Sequence, residues 1–204
     1  MEFKRLLTQI ELVLSPRRFL HTKGVLDWAE KMADRYQLNQ EQVRPAALLH
    51  DCAKKLPAEA LLNLAEQAGI SLDKVLREQP FLLHGPVGAV LAKQHYHIQD
   101  LQVLQAISRH TLGADEMTPL DKLIFLADMV EINRSYPGVA ELRALTLVDM
   151  DQAMLAALDQ TIKLLLDRQA LIHPQTISTR NSILRSLTSK ESLACAKCQR
   201  RRKP

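Results

Sequence analysis

The run ALLHDCAK places His50 and Asp51 side by side at the end of an apolar stretch that reads as a helix. A helix that closes on an imidazole and a carboxylate constrains the fold strongly, because a core built around it must compensate both polar groups. Three further histidines and one aspartate lie in similar settings: His21, His84, His110 and Asp128. Neutral imidazoles and carboxylates suit iron, manganese, zinc, cobalt or nickel. Neighbours on a helix point about 100° apart, so His50 and Asp51 reach one site only from a helix end. Asp51 has two oxygens and could bridge two ions, with His21 and Asp128 completing one shell and His84 and His110 holding the second. Two ions roughly 3.5–4 Å apart can activate a water and clamp a phosphoryl group. A lone histidine on an apolar helix is more often a core or surface residue; it is the ordered set that carries the metal reading. His95 and His97, at the polar end HYHIQD, read as surface residues.

The rest of the sequence fits an all-α domain. Glycines number six, aromatics are 4% of the chain, and Leu and Ala fill the long periodic segments, a composition that favours helices over strands. Ser15-Pro16 reads as a helix start, with the helix running to about Tyr36. Asn39 with Gln42 reads as a capping box, and Pro45 implies a later start or a kink. Pro57 opens a helix that Gly69 closes. Leu82 to Pro86 reads as a loop entering a helix at about Pro86. Asp100 to Arg109 is expected to be helical, Thr118-Pro119 to open an apolar helix carrying Asp128, and Tyr136-Pro137-Gly138 to form a turn. A long amphipathic helix is expected from about Val148 to Leu171. Periodicity fades after about Leu187, which predicts a flexible tail.

The net charge of +4 is unevenly placed. Five cations fall in the last eight residues, and taking them from +4 leaves −1 for the rest. The body of the chain is therefore not a nucleic-acid binder by charge, and only the tail offers such a contact. No apolar run approaches the ~20 residues of a membrane span. Three cysteines make no disulfide framework, which fits a reducing cytoplasm. Cys195 and Cys198 form one CxxC without a second pair, half a zinc site at most. Cys52 would point away from the metal pair, into the core.

Six segments together resemble the HD-domain phosphohydrolase superfamily and, within it, the bacterial symmetrical bis(5′-nucleosyl)-tetraphosphatase family. They are HTKGV at His21, LLHDCAKKLP at His50, LHGPVGA at His84, ISRHTLG at His110, DKLIFLADMVEINRSYPGV at Asp128 and IHPQTISTRN at His173. The resemblance spans about Phe19 to Leu184. The bare HD pattern points only to the superfamily; LHGPVGA, RHTLG and HPQT with RN narrow it. Ile132 stands where the family commonly has proline and Met129 where it commonly has an aromatic, and neither is a proposed ligand.

The resemblance implies a single HD-domain helical bundle over 1–187 with a di-metal site at its centre, and a basic tail over 188–204. It implies hydrolysis of diadenosine tetraphosphate to two ADP by a metal-activated hydroxide, with iron or a similar divalent ion as cofactor. The partners implied are the dinucleoside tetraphosphate and ADP; a homodimer stays open and a membrane is not expected. Metal ligands would be His21, His50, Asp51, His84, His110 and Asp128. Asp51, Lys54, His84 and His110 would carry catalysis. Lys54, three residues after Asp51, is placed to meet a phosphate, the alternative being an ordinary exposed lysine. Arg134 could grip phosphate bidentately or form a surface ion pair. Gly24, one turn after His21, would admit a nucleotide or close helix packing. Gly85 and Pro86 open a helix whose N–H groups could bind phosphate or ribose. His173 is either a cap or a pocket wall, and Thr176 and Asn181 would order that wall. The competing readings are another HD phosphohydrolase, acting on guanosine tetraphosphate, deoxynucleotides or cyclic dinucleotides, and a non-catalytic nucleotide sensor.

Overall fold

Helical spacing of Leu and Ala is realised as eleven α-helices among the described residues. They are α1 (Phe3–Val13), α2 (Pro16–Tyr36), α3 (Gln40–Leu49), α4 (Ala58–Gln67), α5 (Lys74–Glu78), α6 (His84–His95), α7 (Leu101–Arg109), α8 (Pro119–Val130), α9 (Val139–Leu145), α10 (Met150–Asp167) and α11 (Pro174–Arg200). The computed structural model describes residues 3–200, with side chains for residues 3–189. No strand occurs among them. The flexible tail expected over 188–204, with its CxxC, lies almost wholly outside the described side chains. No helix of the described residues is long and apolar enough to cross a membrane.

Local chemistry sets the helix ends. Pro16 sits at the first turn of α2, where its missing N–H costs nothing. Asn39 caps α3 by accepting from the Glu41 N–H at 3.0 Å, but the expected box with Gln42 does not form: the Gln42 amide donates instead to Asp100, at 2.8 Å. Pro45 lies inside α3 rather than delaying its start, and removes one bond from the ladder. A full capping box does form at Thr118 and Asp121, worth about 1 kcal/mol. Gly69 and Gly138 both adopt positive φ where the chain turns, as the turn readings require.

α8 is the central element. Leu123, Ile124, Leu126, Ala127 and Val130 are fully buried, and α8 packs against α2, α3, α7, α9 and α10. Each large apolar side chain so buried contributes about 1.5–3 kcal/mol. A smaller cluster, including Leu61, Leu76 and Leu83, packs beneath α4 to α6. The segment before α6 is ordered as a 3₁₀ helix, Pro80–Leu83, rather than an open loop, and α6 begins at His84.

This packing brings three helix C-termini together. His50 caps α3, His110 caps α7, and Asp128 lies in the last turn of α8. The C-terminal end of a helix carries partial negative charge and favours a cation. His21 faces the same point from α2, and His84 from the first position of α6.

Candidate metal centre

All six expected ligands converge. His50, Asp51, His84 and His110 are buried, and His21 and Asp128 are nearly so. The two oxygens of Asp51 divide the cluster. Oδ2 lies 3.8 Å from His50 Nε2 and 3.9 Å from His21 Nε2. Oδ1 lies 3.3 Å from His84 Nε2 and 3.7 Å from His110 Nε2. Asp128 Oδ1 joins the first group, 3.0 Å from His21 Nε2. Two sets of donor atoms close enough to share an ion result, His21–His50–Asp51 and Asp51–His84–His110.

Hydrogen bonding fixes what those donors offer. The Nδ1 atoms of His50, His84 and His110 lie 2.7, 2.6 and 2.7 Å from the carbonyls of Ala47, Phe81 and Ile107. A carbonyl only accepts, so each Nδ1 carries the proton and each neutral ring turns a lone pair inward at Nε2. His84 Nε2 and His110 Nε2 are 3.0 Å apart, lone pair facing lone pair. His50 Nε2 and Asp51 Oδ1 have no hydrogen-bond partner. A buried cluster of acceptors, two of them without a hydrogen-bond partner, fits divalent cations, and the backbone carbonyls are the outer partners that hold such ligands in one tautomer.

Protonation agrees with this. Burial pushes His50 down to about 4 and also lowers His84. Burial alone would raise the Asp51 carboxyl, but His50, His110, His84 and Lys54 hold it well below the usual carboxylate range. Asp128 is held low against its own burial by His21, His50 and Arg134. For His21, burial is outweighed by hydrogen bonds and charge from Asp128 and Glu131, and its pKa is raised.

These directions fix an acid dependence of the metal-free protein. The unfolded chain takes up the His50 proton near 6.5 and the folded chain only near 4, so stability falls as pH drops through that window, by about 3 kcal/mol for His50. His84 acts in the same direction below 6.5, and the two aspartates do so only below 3.8. His21, with a raised pKa, opposes them: its contribution is full below 6.5 and is lost as pH rises through its folded value. The metal-free protein should therefore unfold at lower denaturant concentration at pH 4.5 than at pH 7. Equal midpoints would contradict a His50 buried in the neutral form.

Cations reach the cleft from three elements. Arg18 Nη1 lies 3.2 Å from Asp51 Oδ2. Lys54 Nζ lies 2.8 Å from His84 Nε2 and 3.4 Å from Asp51 Oδ1. Arg134 Nη2 lies 2.6 Å from Asp128 Oδ1, and its Nε donates to the Asp128 carbonyl at 2.9 Å. Of the two alternatives for Arg134, the structure shows an ion pair, formed with a proposed ligand at the cleft's edge. These side chains, with Arg17 and Asn133, line an opening of about 610 Å³.

The HD domain family matches residues 18–133. The chain is 35% identical over 168 residues to the symmetrical bis(5′-nucleosyl)-tetraphosphatase of Bacillus subtilis, covering 82% of this chain and 90% of that one. It is 37% identical to the protein of the same name from Halalkalibacterium halodurans, over 84% of this chain and 91% of that one. The chain belongs to this HD-domain tetraphosphatase family. A solved structure from Clostridium acetobutylicum, described as a predicted HD superfamily hydrolase involved in NAD metabolism, superposes with a TM-score of 0.88 at 36% identity. It covers 91% of this chain and 98% of that one.

Several residues expected to meet substrate pack against other parts of the chain. Gly24 is buried, and a Cβ there would lie 2.3 Å from Glu131 Oε2, so the glycine makes room for a carboxylate rather than for a nucleotide. Gly85 is buried too, its Cβ position 2.8 Å from the Ser108 carbonyl at the end of α7. Pro86 follows it in the first turn of α6, whose leading N–H, that of His84, donates to the Phe81 carbonyl. His173 acts as a cap: its Nδ1 accepts from the Gln175 N–H at 3.0 Å, and its Nε2 lies 2.9 Å from Asp73 Oδ2. Thr176 is buried in the first turn of α11 and Asn181 is exposed, with no described hydrogen bond from either to the cluster. Cys52 is buried with its Sγ 3.5 Å from the Gly88 carbonyl, as expected of a core residue, and His95 and His97 are exposed.

Sequence reasoning missed Arg18, Thr111 and Glu131. Thr111 Oγ1 lies 3.2 Å from His84 Nε2 and 3.3 Å from His110 Nε2. The Arg17-Arg18 pair, one helical turn before His21, was a readable signal for anion binding.

Proposed function

We propose that this chain hydrolyses diadenosine tetraphosphate symmetrically, to two ADP, at a centre that holds two divalent ions, with iron as the proposed metal. The observation that carries the reading is the division of the cluster by the two oxygens of Asp51. The relatives named as symmetrical tetraphosphatases supply the substrate. His21, His50 and Asp128 would hold an ion with Asp51 Oδ2, and His84 and His110 a second with Oδ1. Ions held there would neutralise phosphate charge and acidify a water.

The chain's own groups do the rest. Phosphoryl transfer depends mainly on positioning and charge neutralisation. Arg17, Arg18, Lys54 and Arg134 offer four cations to a chain of four phosphates. An opening of about 610 Å³ lies within the usual size of a small-molecule site. Arg134 would fix a phosphate while holding Asp128. Lys54 Nζ, beside both His84 and Asp51, would stabilise charge on the departing ADP oxygen. A cytoplasmic setting suits a nucleotide substrate and the free thiol of Cys52.

Anaerobic turnover of diadenosine tetraphosphate with ferrous iron, resolved by chromatography, tests the reading. Two ADP per substrate, abolished by a chelator, is the expected result. AMP plus ATP would overturn the cleavage position. No turnover, with hydrolysis of guanosine tetraphosphate or a deoxynucleotide instead, would overturn the substrate.

A further inference from the structure

His21 differs from the other three histidines of the cluster. Their outer nitrogens face backbone carbonyls one turn earlier in their own segments. His21 Nδ1 instead faces a side chain from another helix, Glu131 Oε1 at 3.2 Å. Glu131 is 2% exposed. Its second oxygen, Oε2, accepts from the Asn133 N–H at 2.7 Å and from Asn133 Nδ2 at 2.9 Å. Its backbone is pinned by Arg143, whose Nη2 donates to the Glu131 carbonyl at 3.0 Å and whose Nε donates to the Val130 carbonyl at 2.7 Å. Space for the carboxylate exists because position 24 is glycine: a Cβ there would meet Oε2 at 2.3 Å and Asn133 Nδ2 at 3.0 Å.

We propose that Glu131, held by Asn133 and Arg143 in the notch left by Gly24, is the positioning residue that makes His21 a metal ligand. With an ion bound, a carboxylate at Nδ1 would keep the ring proton there and leave the Nε2 lone pair to that ion, on the side of Asp128 and Asp51. Carboxylate partners of this kind set ring orientation and raise ligand basicity, and losing one typically costs 10–100-fold in metal affinity. The inference rests on the reading of His21 as a ligand.

Glu131→Gln has a directed effect. The amide oxygen is drawn to the two donors of Asn133, so the NH2 group faces His21 Nδ1. That arrangement selects the other tautomer, with the proton on Nε2 where the ion should bind. Gly24→Ala reaches the same end by crowding the carboxylate and changes no polar group.

The test is titration of metal-stripped, full-length protein with Co²⁺, followed by visible absorption, beside thermal melting of the metal-free forms. Glu131→Gln is expected to bind one Co²⁺ equivalent about 10–100-fold less tightly than wild type, with a changed ligand-field spectrum and a near-normal melt. Gly24→Ala is expected to shift affinity in the same direction. A lowered melting temperature with wild-type Co²⁺ affinity in Glu131→Gln would reduce Glu131 to a structural role and overturn the proposal. Gly24→Ala with intact Co²⁺ affinity and a raised KM alone would restore a nucleotide contact at Gly24 and also count against it. Wild-type protein that binds no Co²⁺ would overturn the metal reading as well, so the two failures are distinguishable.

Discussion

Asp51→Asn should leave a folded protein that holds neither ion and turns over substrate at least about 10³-fold more slowly. Both halves of the cluster use this one carboxylate, Oδ2 toward His21 and His50 and Oδ1 toward His84 and His110. Its loss therefore removes the shared negative charge from both. Taking away a single oriented donor from an active site costs about 10²–10³-fold, and Asp51 serves more than one group. The fold should survive because the asparagine matches the shape of aspartate, which is only 3% exposed. Its amide N–H can also donate to the inward lone pairs of the histidines. Metal content by mass spectrometry, turnover and a thermal melt together test the claim. Two ions still bound, or turnover within tenfold of wild type, would contradict it.

His84→Ala should separate the two halves. His84 and His110 face only Oδ1, while His21, His50 and Asp128 do not depend on them. The expected result is one ion per chain instead of two, with turnover down by about 10²-fold or more, since the remaining ion provides only one side of the clamp on an in-line displacement. The substitution also frees Lys54, whose ammonium sits 2.8 Å from His84 Nε2, and it removes a buried ring beneath the 3₁₀ segment. A melt of the metal-free variant separates any packing effect from the loss of the ion. Two ions retained by His84→Ala would mean that His84 is not a required ligand of the second ion.

The candidate ligands were legible in the sequence because five of the six mark a helix boundary or sit close to one, His21 alone lying inside its helix. His50-Asp51 ends an apolar run, His110 follows the Asp100-capped helix, and Asp128 closes the Thr118-capped one. Pattern and capping chemistry suffice to place such residues near one another. The helices α1, α5, α9 and α11 were not expected from the sequence, being short or polar enough that tertiary packing rather than local pattern decides them. Glu131 was hidden for a different reason. It lies three residues after Asp128 in the same segment, but its meaning comes from α2, which supplies His21 and the gap at Gly24. A glycine one turn after a ligand reads equally well as room for a nucleotide or for a neighbour, and only the packing of α2 on α8 decides. His173 likewise carried two readings, and its contacts with Gln175 and Asp73 select the cap.

Asp51 is proposed to bridge two metal ions. Crystals of the full chain grown anaerobically with ferrous iron, with anomalous difference maps recorded at the iron edge, test it most directly. The account predicts two peaks, one beside Oδ2 among His21, His50 and Asp128, the other beside Oδ1 between His84 and His110. A single peak, or iron bound away from Asp51, would contradict it.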